Sequence, residues 1–265
     1  MAWQVAADSA RLTLLGSVHM AFPDVYPLRE DLEMAFAQAD ALVVEVDITG
    51  TGAAEIQRLL LDKGMLPAGQ TVEHYLSPPV WHSLQAYLDR HALSGDSVVR
   101  MKPGLLATTL SALRLAEFGM QVEHGIDRHF LNRAQGAKPV LELESPAEQV
   151  ALLLDFPDPD LLMAQTLLQL EDMEAIIAPV YEAWLEGDST TLYQLLLAQE
   201  RASHPEFEAI YQRFYDDRNQ AMADRLTELL AGEGHYFVVV GAGHLVGEEG
   251  IIALLQRTGF TVSRF

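Results

Sequence analysis

The chain alternates between short apolar runs typical of buried strands and longer amphipathic stretches typical of helices. The first twenty residues predict two short strands with a turn at Asp8-Ser9. Residues 41–46 form an almost wholly apolar run, which indicates a strand covered on both faces. A third core strand is expected at 138–144, and further strands are expected at 235–241 and 260–264. Helices are predicted at 27–39, 77–91, 103–118, 126–135 and 248–257, and helix follows helix from Ser145 to about Ala231.

This order of elements predicts an α/β fold in a single domain spanning residues 1–265. Strands from both ends of the chain would build one central, mostly parallel sheet covered by helices, with a large helical insertion at about 146–231. Sites in such open sheets form beyond the carboxyl ends of the strands. Polar side chains that follow a predicted strand are therefore the first candidates for chemistry.

The same four-residue pattern, Gly-x-x-His, follows an apolar strand near each end of the chain. Gly16 and His19 form the first copy, and Gly241 and His244 form the second, with Gly243 as an additional glycine before the histidine. Imidazole nitrogens suit divalent transition metals, and a carboxylate completes a mixed set that leaves positions open for water and substrate. One copy alone is a weak signal, because a single histidine after a strand is more often an ordinary loop residue.

Carboxylates follow two of the other predicted strands. Glu45 lies among apolar neighbours, and a buried carboxylate is costly unless it is paired, metal-bound or hydrogen-bonded. Asp47 shares its face by the strand's period of two, and Glu144 ends the strand at 138–144. These groups are candidates for a metal ligand or a general base. The alternative for Glu45 is that it accepts hydrogen bonds from a loop or pairs with an arginine.

Two further segments have both a functional and an ordinary interpretation. Arg218-Asn219 lies in an amphipathic helix, where the arginine could clamp a carboxylate, stabilise an oxyanion or form a surface salt bridge. Asp127, or His124 beside it, could reach the same sheet edge. Asp127 could equally be a first-turn residue favoured by the helix dipole.

Composition excludes several classes of function. The 265 residues include 38 acidic and 17 basic side chains, for a formal net charge of -21, which argues against nucleic-acid binding and docking on anionic membranes. There is no cysteine, which excludes disulfides and thiolate ligands. No apolar stretch is long enough to span a bilayer, and the first residues lack a signal-peptide pattern, which leaves cytoplasm and periplasm both open. The glycines at 241–247 have the wrong spacing for a dinucleotide fold, and too little chain follows them.

These motifs resemble the TraB/PrgY/GumN family, which includes the animal Tiki proteins. The two Gly-x-x-His motifs and Glu45 carry the likeness, and the segment around Gly241–Gly247 is similar to the GumN-like bacterial branch. Other similar segments are Gly125-Ile-Asp127, Leu143-Glu144-Ser145 with Gln149, Arg218-Asn219 and Gly259. The resemblance implies a fold shared with erythromycin-esterase-like and ChaN-like proteins. For the Tiki branch it also implies a metal-dependent peptidase activity with manganese or cobalt favoured and zinc a third candidate, whereas for GumN-like members it does not settle the substrate.

Three functional hypotheses follow. The first is a metal-dependent hydrolase of peptides or amides in which His19, Glu45 and His244 hold the metal, Asp47 or Glu144 is the general base, and Arg218 or Asn219 steadies the oxyanion. The second is a metal-free esterase-type hydrolase with His19 as base, oriented by Glu45. The third is a protein that binds haem or another tetrapyrrole through His19 or His244. The sequence names neither the substrate, which could be a peptide or a small molecule, nor the oligomeric state.

Overall fold

Six strands form one mixed sheet that contains both ends of the chain. The computed structural model describes the backbone of residues 1–265 and every side chain apart from those of residues 96 and 97. The strand order is β4-β3-β5-β2-β1-β6. The strands are β1 (Ala2–Ala6), β2 (Ala10–Ser17), β3 (Ala41–Val44), β4 (Val140–Glu142), β5 (Gly234–Gly241) and β6 (Thr261–Arg264). Strands β4, β3, β5 and β2 are parallel, whereas β1 runs antiparallel to both β2 and β6. The prediction of one mostly parallel sheet is confirmed.

The middle of the sheet is the core of the molecule. Strands β2 and β5 lie side by side there, and Leu12, Leu14, Phe237 and Val238 are wholly buried between them and the flanking helices. Burying a side chain of this size stabilises the fold by roughly 1.5–3 kcal/mol. The apolar runs in the sequence therefore mark the strands that are covered on both faces.

The strand predicted at 138–144 differs from its expected place. It was expected in the core, yet β4 lies at the edge of the sheet, pairs only with β3, and leaves Leu141 exposed. The strand predicted at 41–46 is also shorter, because β3 ends at Val44. Glu45 consequently lies beyond the strand, so the period of two does not relate it to Asp47.

Thirteen α-helical segments surround the sheet in the described backbone, and those at 30–38, 78–90, 103–117, 126–134 and 251–257 match the predicted helices. The bounds are α1 (Glu30–Gln38), α2 (Gly50–Lys63), α3 (Pro78–Arg90), α4 (Gly95–Val98), α5 (Pro103–Glu117), α6 (Ile126–Ala134), α7 (Pro146–Leu154), α8 (Pro159–Glu186), α9 (Ser189–Tyr193), α10 (Gln199–Ser203), α11 (Glu208–Tyr211), α12 (Asp217–Leu230) and α13 (Ile251–Arg257). Two π-helical segments, Gln194–Ala198 and Gln212–Asp216, join α9 to α10 and α11 to α12.

Helices α7 to α12 occupy the predicted insertion, which packs partly on the sheet and partly on other helices. Met222 and Leu226 of α12 belong to the main core with the strands, whereas Met163 and Leu170 of α8 share a buried cluster with residues of α3 and α5. The second cluster contains no strand residue, so this part of α8 is stabilised by helix packing alone. None of the helices in the described part of the chain has the length and apolar character needed to span a membrane.

Candidate functional site

The two Gly-x-x-His motifs meet at one edge of the sheet because their strands are neighbours. Strands β2 and β5 pair in parallel, with Gly16 opposite Val240 and Ser17 opposite Gly241. Both motifs therefore leave the sheet at the same level. A Cβ atom at Gly16 would lie 3.1 Å from both the Cα and the Cβ of Ala242, so glycine lets the two motif loops touch.

His19 stands open to solvent and is held by a buried carboxylate. Its side chain is 65% exposed, and its Nδ1 lies 2.9 Å from Asp127 Oδ2. The hydroxyl of Ser17 donates to the other oxygen of Asp127 at 2.8 Å. The negative charge of Asp127 outweighs partial desolvation and raises the pKa of His19 to about 9. Without a metal, His19 is therefore an imidazolium at neutral pH, with its Nε2 free of protein partners among the described side chains.

The start of α6 explains how Asp127 reaches His19. The backbone N–H of Ile126 donates to the carbonyl of Val18 at 3.0 Å, which ties the helix to the first motif loop. A Cβ atom at Gly125 would lie 2.3 Å from the carbonyl oxygen of His19, so only glycine permits this approach. Asp127 lies in the first helical turn and also holds the catalytic candidate His19. Asp127 is therefore both a first-turn helix residue and a group that reaches the site, the two interpretations drawn from the sequence.

His244 is the buried counterpart of His19. Its Nδ1 lies 2.6 Å from Asn219 Oδ1, and its Nε2 lies 3.0 Å from Arg218 Nη1. Because Asn219 donates its amide to the carbonyl of Glu249, its oxygen accepts, so Nδ1 of His244 carries the proton and Nε2 accepts from Arg218. Burial lowers the pKa of His244 to about 4, against the opposing charge of Glu45. His244 is therefore neutral at physiological pH.

Glu45 is buried and ionised beside a second carboxylate. Its backbone carbonyl accepts from the N–H of Glu144 at 2.8 Å, which continues the β3–β4 pairing beyond the strands and brings the two residues together. Glu45 Oε1 accepts from the N–H of Gly241 at 2.6 Å. Burial alone would raise the pKa of Glu45, but the charges of His244, Arg218 and His19, together with the bond from Gly241, lower it to about 2.

Arg218 connects the two carboxylates to the second motif. Its Nη2 donates to Glu45 Oε2 at 2.6 Å and to Glu144 Oε2 at 2.7 Å, and its Nε donates to Glu144 Oε1 at 2.7 Å. Its Nη1 donates to the carbonyl of Phe214 at 3.2 Å and to His244. Desolvation alone would lower the pKa of Arg218, but the hydrogen bonds and negative charges of Glu144 and Glu45 outweigh it and raise that pKa. All five donors of the guanidinium are engaged, so the pairing of Glu45 with an arginine, the alternative drawn from the sequence, is present in the structure.

The other two carboxylates predicted as catalytic, Asp47 and Glu144, form hydrogen bonds with other protein groups and do not line the cleft. Asp47 accepts two hydrogen bonds from Thr49 at the start of α2, and it does not line the cleft. Glu144 accepts hydrogen bonds from Arg218 and from the side-chain amide of Gln149. The same amide nitrogen of Gln149 lies 3.3 Å from Glu45 Oε2. Among the carboxylates predicted as catalytic, only Glu45 lines the cleft.

Tyr215 is a site residue that the sequence reasoning missed. Its ring lies 5.3 Å from the His244 ring, centroid to centroid, and a Cβ atom at Gly243 would lie 2.9 Å from its Cε1. Gly243 therefore makes room for this ring. The signal available in the sequence was only an aromatic residue three positions before Arg218, which is a common feature of an amphipathic helix.

The side chains of the two motifs and Glu45 converge on the Cα of Gly241. A Cβ atom built there would lie 3.2 Å from Glu45 Oε1, 3.4 Å from His244 Cδ2 and 4.0 Å from His19 Nε2. The absence of a side chain at Gly241 thus creates a small space bordered by both imidazoles and a carboxylate. Convergence of these three residues, which the chain separates by more than 200 positions, is what a shared site requires.

The donor set is chemically suited to a divalent transition metal. Each imidazole is anchored through Nδ1, His19 by Asp127 and His244 by Asn219, which is how metal-binding histidines are commonly oriented. Among the described side chains, no three His, Asp or Glu residues already stand in ligand geometry. The reason is Arg218, which occupies the Nε2 of His244 and one oxygen of Glu45. A metal held here would require Arg218 to release His244.

A largely apolar cleft of about 640 Å³ opens above the site. Its floor contains His19, Glu45 and His244, and its walls come mainly from α5 and α8. Small side chains on α5 face larger apolar ones on α8. The lining from these two helices includes Ala107, Ser111, Ala112, Met173, Ile176, Ile177 and Val180. The helical insertion thus forms one wall of the cleft.

Comparison with known proteins identifies a family and several relatives of this chain. The model of the TraB/PrgY/gumN family matches residues 1–264. An uncharacterized protein of Escherichia coli (strain K12), YbaP, is 29% identical over 249 residues, covering 92% of this chain and 87% of YbaP. The metalloprotease TIKI1 of Danio rerio is 22% identical over 313 residues, covering 98% of this chain and 62% of TIKI1. No solved structure matches the chain.

Proposed function

We propose that this chain, which belongs to the TraB/PrgY/gumN family, is a metal-dependent hydrolase of amide bonds that acts on peptides. The observation that carries the proposal is the convergence of His19, Glu45 and His244 around Gly241 at the floor of an open cleft. The distant likeness to a metalloprotease supports the same reaction class. In this proposal the three side chains are the metal ligands.

A divalent ion at this point would supply an activated water molecule and polarise the scissile carbonyl. The residues around it have separate tasks. Asp127 and Asn219 fix the orientation of the two imidazoles through their Nδ1 atoms. Arg218 pairs with both Glu45 and Glu144, and its positive charge helps to keep Glu45 ionised beside the second carboxylate.

The shape of the cleft indicates the kind of substrate. A peptide that presents apolar side chains beside the scissile bond would bury them against α5 and α8, while its amide reaches the polar floor. The net charge of -21 disfavours strongly acidic substrates. We therefore propose neutral or basic peptides with an apolar segment.

The test is cleavage of a fluorogenic peptide library by protein that has been stripped of metal and then supplied with Mn²⁺, Co²⁺ or Zn²⁺. We expect cleavage that requires added metal and that is abolished, together with metal binding, by His19→Gln and by His244→Gln. His235→Gln is the matched control. His235 lies near the amino-terminal end of β5, at the far end of the strand from the site, and contacts Arg11 and Thr13. This variant should keep both properties.

The rival hypotheses give different results in the same experiment. Full hydrolysis in a strong chelator, after confirmed metal removal, would favour the metal-free esterase-type reaction, with His19 as base. In the structure Asp127, and not Glu45, orients His19, so that reaction should be lost in Asp127→Asn. A Soret band on titration with haem, without any hydrolysis, would favour tetrapyrrole binding.

A further inference from the structure

We infer that Tyr215 is a catalytic residue whose hydroxyl donates a hydrogen bond to the carbonyl oxygen of the scissile amide as that oxygen becomes negatively charged. The inference rests on the proposed function and names a residue of the same site. It follows from three observations: the predicted oxyanion donors are already engaged, the Tyr215 hydroxyl is free, and the site glycine Gly243 makes room for its ring.

The residues expected to stabilise an oxyanion have no free donor in the structure. Arg218 uses all five of its N–H groups on Glu45, Glu144, His244 and the carbonyl of Phe214. Asn219 donates its amide to the carbonyl of Glu249, and its oxygen faces His244. A metal on His244 and Glu45 would free only the Arg218 donors that now face these two groups, so a donor that is free with and without metal must come from elsewhere on the cleft.

Tyr215 has a free donor in the right place. It lines the cleft together with His19, Glu45 and His244. No described residue forms a hydrogen bond with its hydroxyl, and that hydroxyl is not sealed from solvent, in contrast to the hydroxyl of Tyr211, which is buried without a partner. A free phenol beside a catalytic histidine is a suitable donor, because a tyrosine hydroxyl can serve in an oxyanion hole.

The surrounding fold keeps the Tyr215 ring in position. The ring packs against the His244 ring at 5.3 Å and occupies the space that a side chain at residue 243 would need. It belongs to the π-helical segment Gln212–Asp216, and segments of this kind are frequent at functional sites.

The reaction step leaves Tyr215 chemically unchanged. The oxygen of water bonds to the carbonyl carbon, and the π electron pair of the carbonyl moves onto its oxygen, where the Tyr215 hydroxyl donates its hydrogen bond. The C–N bond then breaks as the carbonyl re-forms, and the nitrogen leaves with one proton that came from the water. The new acid releases the second proton of the water to solvent, so the products are a carboxylate, an amine and a proton.

The experiment compares Tyr215→Phe with Tyr211→Phe, using a peptide that the unaltered protein cleaves in the presence of metal. Tyr211→Phe is the matched control, because it removes a hydroxyl that is sealed in the wall one helical turn away. We expect Tyr215→Phe to lower kcat roughly 10²–10³-fold with little change in KM, as for the loss of one oxyanion donor. Its metal content should equal that of the unaltered protein. Tyr211→Phe should keep kcat.

A binding measurement separates a catalytic role from a structural one. A phosphinic peptide, which carries a tetrahedral anion in place of the amide, should bind Tyr215→Phe at least tenfold more weakly than it binds the unaltered protein, whereas the parent peptide should bind both alike. Unchanged kcat and unchanged phosphinate affinity in Tyr215→Phe would overturn the inference while leaving the hydrolase proposal intact. If the unaltered protein cleaves no peptide with any metal, the proposed function fails, and the inference fails with it.

Discussion

The two Gly-x-x-His motifs have the same spacing and leave neighbouring strands, yet they present their histidines in opposite states. His19 is 65% exposed, and Asp127 raises its pKa to about 9. His244 is 7% exposed in its side chain, and burial lowers its pKa to about 4. One imidazole is charged at neutral pH without metal, and the other is neutral.

The carboxylate beside His19 and the burial of His244 produce this difference. A carboxylate faces His19 and stabilises the imidazolium, whereas an amide oxygen and a guanidinium face His244 and stabilise the neutral ring. The first motif is therefore the accessible half of the site and the second is its rigid half. Four changes to the protein or its conditions test this contrast.

Removing the guanidinium should have the largest effect. Arg218→Met leaves Glu45 and Glu144 buried without their cation, so we expect a loss of about 3–5 kcal/mol in the free energy of unfolding. Urea unfolding measures it. Arg257→Met is the control, because the salt bridge of Arg257 to Glu249 is half exposed and contributes about 1 kcal/mol or less. Equal losses in the two variants would contradict the central place of Arg218 in the rigid half.

Acid should lower the free energy of unfolding through His244 of the second motif. The pKa of His244 is about 4 when folded and 6.5 when unfolded, so the unfolded chain binds the proton first as pH falls. The contribution of His244 to stability is present above pH 6.5 and is lost towards pH 4, by roughly 2–3 kcal/mol. Urea unfolding of the metal-free protein across this range should show a shallower fall in His244→Gln. The prediction is wrong if both proteins follow parallel curves.

A methyl group at the point of convergence should disturb function more than folding. Gly241 has a φ of -50°, which alanine also adopts, but the new Cβ would lie 3.2 Å from Glu45 Oε1. We expect Gly241→Ala to lower kcat/KM for a cleaved peptide roughly 10–100-fold by displacing the groups around it. Gly232→Ala, whose Cβ would meet only the carbonyl of Leu229 at 3.4 Å, is the control. Similar activity in the two variants would show that this space is not used.

Alkali should lower the stability of the protein through His19 of the first motif, and this is the smallest of the four effects. The folded pKa of His19, about 9, lies above its ordinary value of 6.5, so its contribution is complete below pH 6.5 and is lost as pH rises through about 9. Because the imidazole is largely open to solvent, the loss should be below about 1 kcal/mol. Thermal unfolding of metal-free protein measures it. Asp127→Asn should flatten this alkaline limb, and an unchanged limb would contradict the Asp127 pairing.

Much of the fold could be predicted because its signals are local. The apolar runs that became β2, β3 and β5 are buried on both faces, and such strands carry few polar residues. The edge position of β4 could not be predicted in the same way, since Val140–Glu142 is apolar enough for either place and only pairing decides. The antiparallel β1 likewise depends on which strand its neighbour becomes.

Local patterns in the sequence were enough to identify residues that could form the site: two histidines after apolar strands, a carboxylate after a third, and an arginine and asparagine in a late helix. The role of each residue depends on how the chain folds. The N–H groups of Arg218 donate to Glu45, Glu144 and His244, whereas the hydroxyl of Tyr215, whose ring packs on His244, has no hydrogen-bond partner among the described residues. The physical reason is that strand formation depends on the local apolar pattern, whereas charge state and hydrogen-bond partners depend on groups that approach from distant parts of the chain.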